Sequence, residues 1–122
     1  MTQSQLHATE TPVPVFPSFL SDKELATLLG TTIEWVRAHA EEIPGFTRLG
    51  SYYRFRQIAV ERWLGGSSRL LACEEVALLM KIPKSWVYAN ADSIPGVVRL
   101  GRYIRFRPAV VRAFLSGSEV VQ

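Results

Sequence analysis

The stretch IPGFTRLGSYYRFR, residues 43–56, occurs a second time as IPGVVRLGRYIRFR, residues 94–107. The same offset of 51 positions aligns residues 20–66 with residues 71–117 without a gap, and 21 of the 47 aligned pairs are identical. Such self-similarity at a fixed period indicates an internal repeat. The chain therefore contains two copies of one structural module.

The repeat also predicts how the chain is organised. The Gly- and Ser-containing residues 65–69 lie between the copies and are typical of a short linker. We therefore expect module 1 over residues 19–64 and module 2 over residues 70–117. The Pro-rich, polar residues 1–18 predict a disordered N-terminal arm, and residues 118–122 a C-terminal tail.

Each copy predicts a helix, a tight turn and a second helix, followed by a β-hairpin and a final helix. In module 1, Ser21 followed by Glu24 is a capping signature for the first helix, and Gly30 is a stop signal. Thr32 is placed to cap the second helix. The final helices are expected over residues 58–64 and 109–115.

The hairpin in each copy turns at a glycine and alternates two kinds of side chain along its second strand. Because side chains alternate between the two faces of a strand, one face is expected to join the core and the other to face outward. The residues predicted to face inward are Tyr53, Phe55, Ile104 and Phe106. Those predicted to face outward are Tyr52, Arg54, Arg56, Tyr103, Arg105 and Arg107.

Helix, turn, helix, hairpin and helix within one short repeat is the arrangement of a winged helix-turn-helix. The residues that carry a family resemblance are EEVA (74–77), KSWVY (84–88) and VRLGRYIRFR (98–107) in module 2, and KELA (23–26) and TRLGSYYRFR (47–56) in module 1. Both copies resemble the DNA-binding domain shared by phage-type excisionases and MerR-like regulators. The resemblance implies an α+β fold, mainly α, of two tandem winged helix-turn-helix modules.

The resemblance further implies sequence-specific binding to double-stranded DNA, with base contacts from the second helix and backbone or minor-groove contacts from the hairpin, or wing. The implied DNA-contacting residues are Lys84, Ser85, Trp86, Tyr88, Arg99, Arg102, Tyr103, Arg105 and Arg107 in module 2, and Thr32, Trp35, Arg37, Arg48, Tyr52, Arg54 and Arg56 in module 1. An excisionase-like recombination directionality factor would assist a site-specific recombinase. A transcriptional regulator of the same fold is the alternative.

Charge divides the copies. Residues 19–66 contain six basic and six acidic residues, whereas residues 69–117 contain eight basic and three acidic ones. Lys84 and Ser85 of module 2 correspond to Ile33 and Glu34 of module 1. We expect module 2 to dominate DNA binding, with a salt slope of about −4 to −7 if roughly 5 to 8 phosphates are neutralised. Neutral module 1 keeps a third hypothesis open, that of a protein-interaction adaptor with a degenerate winged helix.

Several DNA-contacting residues also have a structural interpretation. Trp35 and Trp86, which occupy the same repeat position, are expected either in the core or against sugar and phosphate. The strand arginines could be a solvated face instead of phosphate ligands. Arg48 and Arg99 could pair with the first-helix carboxylates, Glu24 and Glu75 respectively.

The sequence contains no catalytic set, cofactor motif or metal-ligand cluster, so we expect neither an enzyme nor a metal or cofactor site. Cys73 is the only cysteine and is expected to have a packing role, while the lone helical His39 is expected to be an ordinary surface residue. Without a signal peptide or a transmembrane run, the chain is expected to be cytoplasmic and nucleoid-associated, with no membrane partner.

The linker limits how the modules could bind DNA. Five extended residues span at most about 17 Å. If both modules engage DNA, we expect direct-repeat half-sites about 10 to 10.5 base pairs apart. Self-association on an inverted repeat is the competing arrangement.

Overall fold

The computed structural model describes residues 16–117. The predicted arm lies outside the described residues except for residues 16–18, and the predicted tail, residues 118–122, lies wholly outside them. Within the described part, the chain is α+β, as expected, and the same order of elements occurs twice.

The elements fall within the limits that the repeat predicts. In module 1 they are β1 (Phe19–Ser21), α1 (Asp22–Leu29), α2 (Ile33–Ala38), a 3-10 turn (Ala40–Glu42), β2 (Phe46–Leu49), β3 (Tyr52–Arg56) and α3 (Gln57–Leu64). In module 2 they are β4 (Leu71–Ala72), α4 (Cys73–Met80), α5 (Lys84–Ala89), a 3-10 turn (Ala91–Ser93), β5 (Val97–Leu100), β6 (Tyr103–Phe106) and α6 (Pro108–Leu115).

Local sequence signals define the helix ends in module 1. The Ser21 hydroxyl accepts a hydrogen bond from the Glu24 N–H at 3.1 Å, and the Glu24 carboxylate accepts one from the Ser21 N–H at 2.9 Å. Gly30 ends α1 in a left-handed conformation with φ of 71°. The Thr32 hydroxyl accepts from the Trp35 N–H at 3.0 Å. The predicted capping box, stop and second cap are confirmed.

Each module contains a three-stranded antiparallel sheet, in the order β1-β3-β2 and β4-β6-β5. The predicted hairpins are the pairs β2-β3 and β5-β6, and the short strands β1 and β4 extend them. Leu20 lies opposite Phe55, and Leu71 opposite Phe106. Because both phenylalanines are fully buried, the added strands help to close each core.

The two modules share packing as well as sequence. The buried core of module 1 is built around Leu25, Leu29, Val36, Phe55 and Val60, all of them fully buried. The same cluster includes three residues of module 2: Leu70, Val98 and Leu100. An apolar interface therefore joins the modules in addition to the linker.

The second core lies within module 2. It contains Cys73, whose thiol has a raised pKa because burial disfavours the thiolate. The expected packing role of Cys73 is thereby confirmed. No helix within residues 16–117 is long and apolar enough to cross a membrane, since none exceeds eight residues.

Candidate nucleic-acid interface

Helix α5 of module 2 presents almost all of its side chains to solvent. Val87 is its only buried residue. The helix follows α4 after a turn of three residues, 81–83, so α4 and α5 form a short helix-turn-helix pair with α5 on its outside. Four residues predicted to contact DNA share this surface: Lys84, Ser85, Trp86 and Tyr88.

Tyr88 fixes α5 against the first helix of its module. Its hydroxyl donates a hydrogen bond to a Glu74 carboxylate oxygen at 2.8 Å. This bond lowers the pKa of the Glu74 carboxyl group and raises the pKa of the Tyr88 phenol, because it stabilises the charged acid and the neutral phenol. About half of Tyr88 nevertheless remains exposed, at 47%.

The equivalent helix of module 1, α2, has a different environment. Trp35 is half-buried, stacks on His39 with ring centroids 4.2 Å apart and meets the edge of Tyr103 at 6.0 Å. A Cβ at Gly101 would lie 3.1 Å from Trp35 Nε1, so the module 2 hairpin turn comes close to the indole. Trp35 thus lies at the interface between modules, whereas its counterpart Trp86 is 47% exposed.

The expectation that His39 is an ordinary surface residue is wrong. Its imidazole is half-buried beneath Trp35, and Nδ1 lies 2.9 Å from the Trp35 carbonyl oxygen. The reason is the helical spacing of four residues, which brings the two side chains to one side of α2.

The prediction that Arg105 faces outward into solvent is wrong. Its Nε donates to the carbonyl oxygen of Leu29 at 3.0 Å, its Nη2 donates to that of Gly30, and its Nη1 donates to that of Ile104 at 2.8 Å. Carbonyls at the end of a helix lack intrahelical partners, and the helix dipole favours a cation there. Arg105 therefore binds the end of α1.

The outward predictions for Arg107 and Tyr103 are wrong as well. Arg107 donates to the Trp63 carbonyl oxygen at 3.2 Å, and Tyr103 packs against the module 1 core. Val98 and Leu100 share this face of the hairpin and are 7% and 4% exposed. The predicted outward face of module 2 is thus mixed apolar and basic, and it covers module 1.

The same hairpin face in module 1 is open. Tyr52 is 61% exposed and Leu49 is 47% exposed. The Arg54 guanidinium lies over the Tyr52 ring, 5.0 Å from its centroid, and Arg56 is exposed. The outward prediction is confirmed for Tyr52 and Arg56, while Arg54 is half-buried.

The alternative pairing of Arg48 with Glu24 and of Arg99 with Glu75 is wrong. Arg48 donates to the Gly50 carbonyl oxygen at 2.8 Å and lies 4.4 Å from the Tyr53 ring centroid. Arg99 forms an ion pair at 3.0 Å with Asp92, which lies closer in sequence.

Glu75 is held by other partners. Its carboxylate pairs with Arg69 at 2.8 Å and accepts from the Ala72 N–H at 2.8 Å. These contacts lower its pKa to about 2.

The remaining predicted residues differ in availability. Arg102 is exposed at the hairpin turn, over the ring of Tyr103. Arg37 pairs with Asp22 at 2.8 Å, and Thr32 caps α2. Within residues 16–117, four exposed cations of module 2 form no ion pair: Lys81, Lys84, Arg102 and Arg112.

Sequence reasoning missed Lys81 and the apolar surface beside α5. Lys81 ends α4 in a left-handed conformation with φ of 60°, a position that usually signals itself by glycine. Leu78 and Leu79 are 75% and 50% exposed. Within residues 16–117, His, Cys, Asp and Glu form no group that could hold a metal ion.

No family model, curated protein or solved structure matches this chain.

Proposed function

We propose that this chain binds double-stranded DNA through tandem winged helix-turn-helix modules. The observation that carries the proposal is the surface of α5, where Lys84, Ser85, Trp86 and Tyr88 are exposed together after a short helical turn. Lysine supplies phosphate attraction, serine can hydrogen-bond to bases or backbone, and the Tyr88 hydroxyl, which donates to Glu74, can still accept a hydrogen bond. In this proposal α5 lies in the major groove.

Module 2 is the principal reader in this proposal. The equivalent helix of module 1 carries Glu34 in place of Ser85, and Arg37, its exposed cation, pairs with Asp22. A carboxylate facing phosphates is unfavourable. Module 1 contributes cations of its open hairpin instead, foremost Arg56.

The resemblance to excisionases extends the proposal to the biological role. The chain would act as a recombination directionality factor, binding DNA so that a site-specific recombinase can reverse integration. Deleting the gene should then abolish excision of the host element while integration continues. If transcription of neighbouring genes changes and excision does not, the second candidate, a transcriptional regulator on the same DNA surface, replaces it.

The binding test uses the full chain and a labelled duplex selected from genomic fragments. Lys84→Gln should weaken binding by about 1–3 kcal/mol if Lys84 contacts a base, and should weaken it uniformly across sequences and reduce the salt slope by about 1 if Lys84 contacts a phosphate. Lys23→Gln is the matched control, since Lys23 is an exposed lysine on α1 of module 1. Equal effects of the two substitutions would contradict reading by α5.

The exposed apolar residues beside α5 favour a further candidate, a protein-interaction adaptor. An adaptor needs no nucleic acid. Phosphate contacts are strong at low salt, about 50 mM. If the chain does not bind duplex DNA even there, the adaptor is favoured over the DNA-binding proposal.

A further inference from the structure

The interface between the modules has two dissimilar sides. The hairpin side belongs to module 2 and comprises Leu70, Val98, Leu100, Tyr103 and Arg105. The helix side belongs to module 1 and comprises Leu28, Leu29, Gly30, Trp35, Trp63 and Leu64. Because the interface is head-to-tail, each module carries both sides, and one of them remains unused in each.

The unused hairpin side lies on module 1. Moving back 51 positions from Leu70, Leu100 and Tyr103 gives Phe19, Leu49 and Tyr52. These three are 42%, 47% and 61% exposed, whereas Leu70 and Leu100 are 1% and 4% exposed. The residues are therefore exposed because they lack the neighbour that covers their counterparts.

The unused helix side lies on module 2. Moving forward 51 positions from Leu28, Trp35, Trp63 and Leu64 gives the exposed set Leu79, Trp86, Phe114 and Leu115. Leu115 is 44% exposed where Leu64 is 2% exposed. This face is apolar at the positions where module 1 receives the hairpin.

Side-chain identity also matches across the two unused sides. Leu49, Tyr52 and Arg54 repeat Leu100, Tyr103 and Arg105. The Arg54 side chain makes one of the hydrogen bonds of Arg105, since Nη1 of each arginine donates to the carbonyl oxygen of the preceding residue, at 2.9 and 2.8 Å. On the helix side, Leu79, Trp86 and Leu115 repeat the residues of module 1.

We propose that copies of this chain associate head-to-tail, with the module 1 hairpin of one copy seated on the module 2 helices of the next. The occupant is a second copy because the chain already contains both halves of the contact, joined within itself. Such an interface is heterologous and does not close by a two-fold axis, so it builds open chains or rings of more than two copies.

One residue weakens the contact between copies relative to the contact within a chain. Gly30 admits Arg105, and a Cβ there would lie 2.7 Å from Arg105 Nε. The equivalent residue of module 2 is Lys81, which carries a Cβ and a positive charge where Arg54 would approach. Arg54 must shift, so association is reversible and concentration-dependent.

Association uses part of the surface that is proposed to bind DNA, namely Trp86 on α5 and the module 1 hairpin, and leaves the rest of α5 open. In module 1 the seated hairpin leaves Glu34 and Arg37 exposed. Their counterparts on α5, Ser85 and Tyr88, therefore stay accessible when the hairpin of another copy is seated beside them. The association requires no DNA and is tested in its absence.

Sedimentation of the full chain without DNA, up to about 1 mM, tests the proposal. The mean mass should rise steadily with concentration and pass that of a dimer. Leu49→Arg blocks the hairpin side and Leu79→Arg blocks the helix side, and each should weaken association about tenfold or more. Both residues are half-exposed, so the variants should keep the wild-type circular dichroism and melting temperature.

Mixing the two blocked variants gives the sharpest result. Leu49→Arg retains a working helix side and Leu79→Arg a working hairpin side, so the mixture should form a one-to-one dimer that neither variant forms alone. A symmetric interface cannot produce this rescue. Failure of the mixture to associate overturns the proposal, as does a wild-type chain that stays monomeric throughout the concentration range.

Two further variants complete the test. Leu78→Arg is the matched control, because Leu78 is adjacent to Leu79 but its counterpart, Thr27, is exposed beside the seated hairpin. It should associate as the wild type does. Lys81→Gly should strengthen association by restoring the residue found at position 30. Equal loss from Leu78→Arg and Leu79→Arg would show that the contact does not follow the internal interface.

Discussion

The Arg105 side chain of the second module lies across the end of a helix in the first, with its Nε 3.0 Å from the Leu29 carbonyl oxygen. A cation bonded to carbonyls that no helical N–H can reach stabilises the association of the two modules. The same arginine would otherwise have been available to phosphates. Its position therefore bears on stability and on the proposed DNA binding.

Arg105→Ala should lower the free energy of unfolding by about 1.5–3 kcal/mol, the range for hydrogen bonds to charged groups. Urea unfolding at low protein concentration measures the loss. Arg54→Ala is the matched control, because Arg54 has the same place in the module 1 hairpin but bonds only to the Tyr53 carbonyl in the described residues. Similar losses from both substitutions would mean that the inter-module bonds contribute little.

Gly30→Ala should destabilise the chain for two reasons. A left-handed backbone costs a residue with a Cβ about 1–2 kcal/mol, and that Cβ would also displace the Arg105 guanidinium. Gly50→Ala isolates the first cost, since φ at Gly50 is 63° and no atom lies within 4 Å of an added Cβ. In an Arg105→Ala background the extra loss at Gly30 should disappear, and a persistent loss would exclude the steric explanation.

The ion pair between Glu75 and Arg69 makes one part of the stability of the fold depend on pH. Arg69 and the Ala72 N–H lower its folded pKa to about 2, below the ordinary value of 4.5. A lowered folded pKa stabilises the fold above the unfolded pKa, and this stability is lost as pH falls from about 5 to 2. Since the Glu75 side chain is 37% exposed, solvent screening limits the contribution to about 1 kcal/mol or less.

Glu75→Gln should therefore cost stability at pH 7 and little at pH 2. Urea unfolding at a series of pH values measures the difference from wild type. Glu42→Gln is the control, because Glu42 is exposed and forms no ion pair within residues 16–117. A difference between Glu75→Gln and wild type that is the same at both pH values would contradict the ion-pair explanation.

Local chemistry made much of the fold predictable. The helix ends at Ser21, Gly30 and Thr32 depend on contacts with residues only a few positions away. Their caps and stop could therefore be predicted from the sequence. Strand β1 was missed because it spans three residues and pairs with residues 54–56, far along the chain. Nothing local distinguishes so short an edge strand from a loop.

The candidate site was only partly predictable for a related reason. Alternation along β6 correctly placed Phe106 and Arg105 on opposite faces of the strand. It gave no sign that module 1 covers the face that carries Arg105. A usable signal was present in β5, where Val98 replaces Thr47 and so makes that face more apolar in module 2. The exposure of α5 was predictable because only Val87 is needed by the core.

Arg102 and Arg105 of the module 2 hairpin differ in their availability to DNA, although the sequence predicts that both contact it. Arg102 is exposed at a hairpin turn, whereas Arg105 is bound to module 1 carbonyls. Losing one phosphate contact reduces the slope of log K against log salt by about 0.9. Arg102→Gln should therefore reduce the slope by about that amount, and Arg105→Gln should leave it unchanged at temperatures where the variant stays folded. With Arg105 and Arg107 engaged internally, we expect a wild-type slope of about −3 to −4.5, from three to five phosphates. Fluorescence anisotropy across a salt series measures all three slopes, and a reduction by Arg105→Gln equal to that of Arg102→Gln would mean that Arg105 leaves α1 to bind DNA.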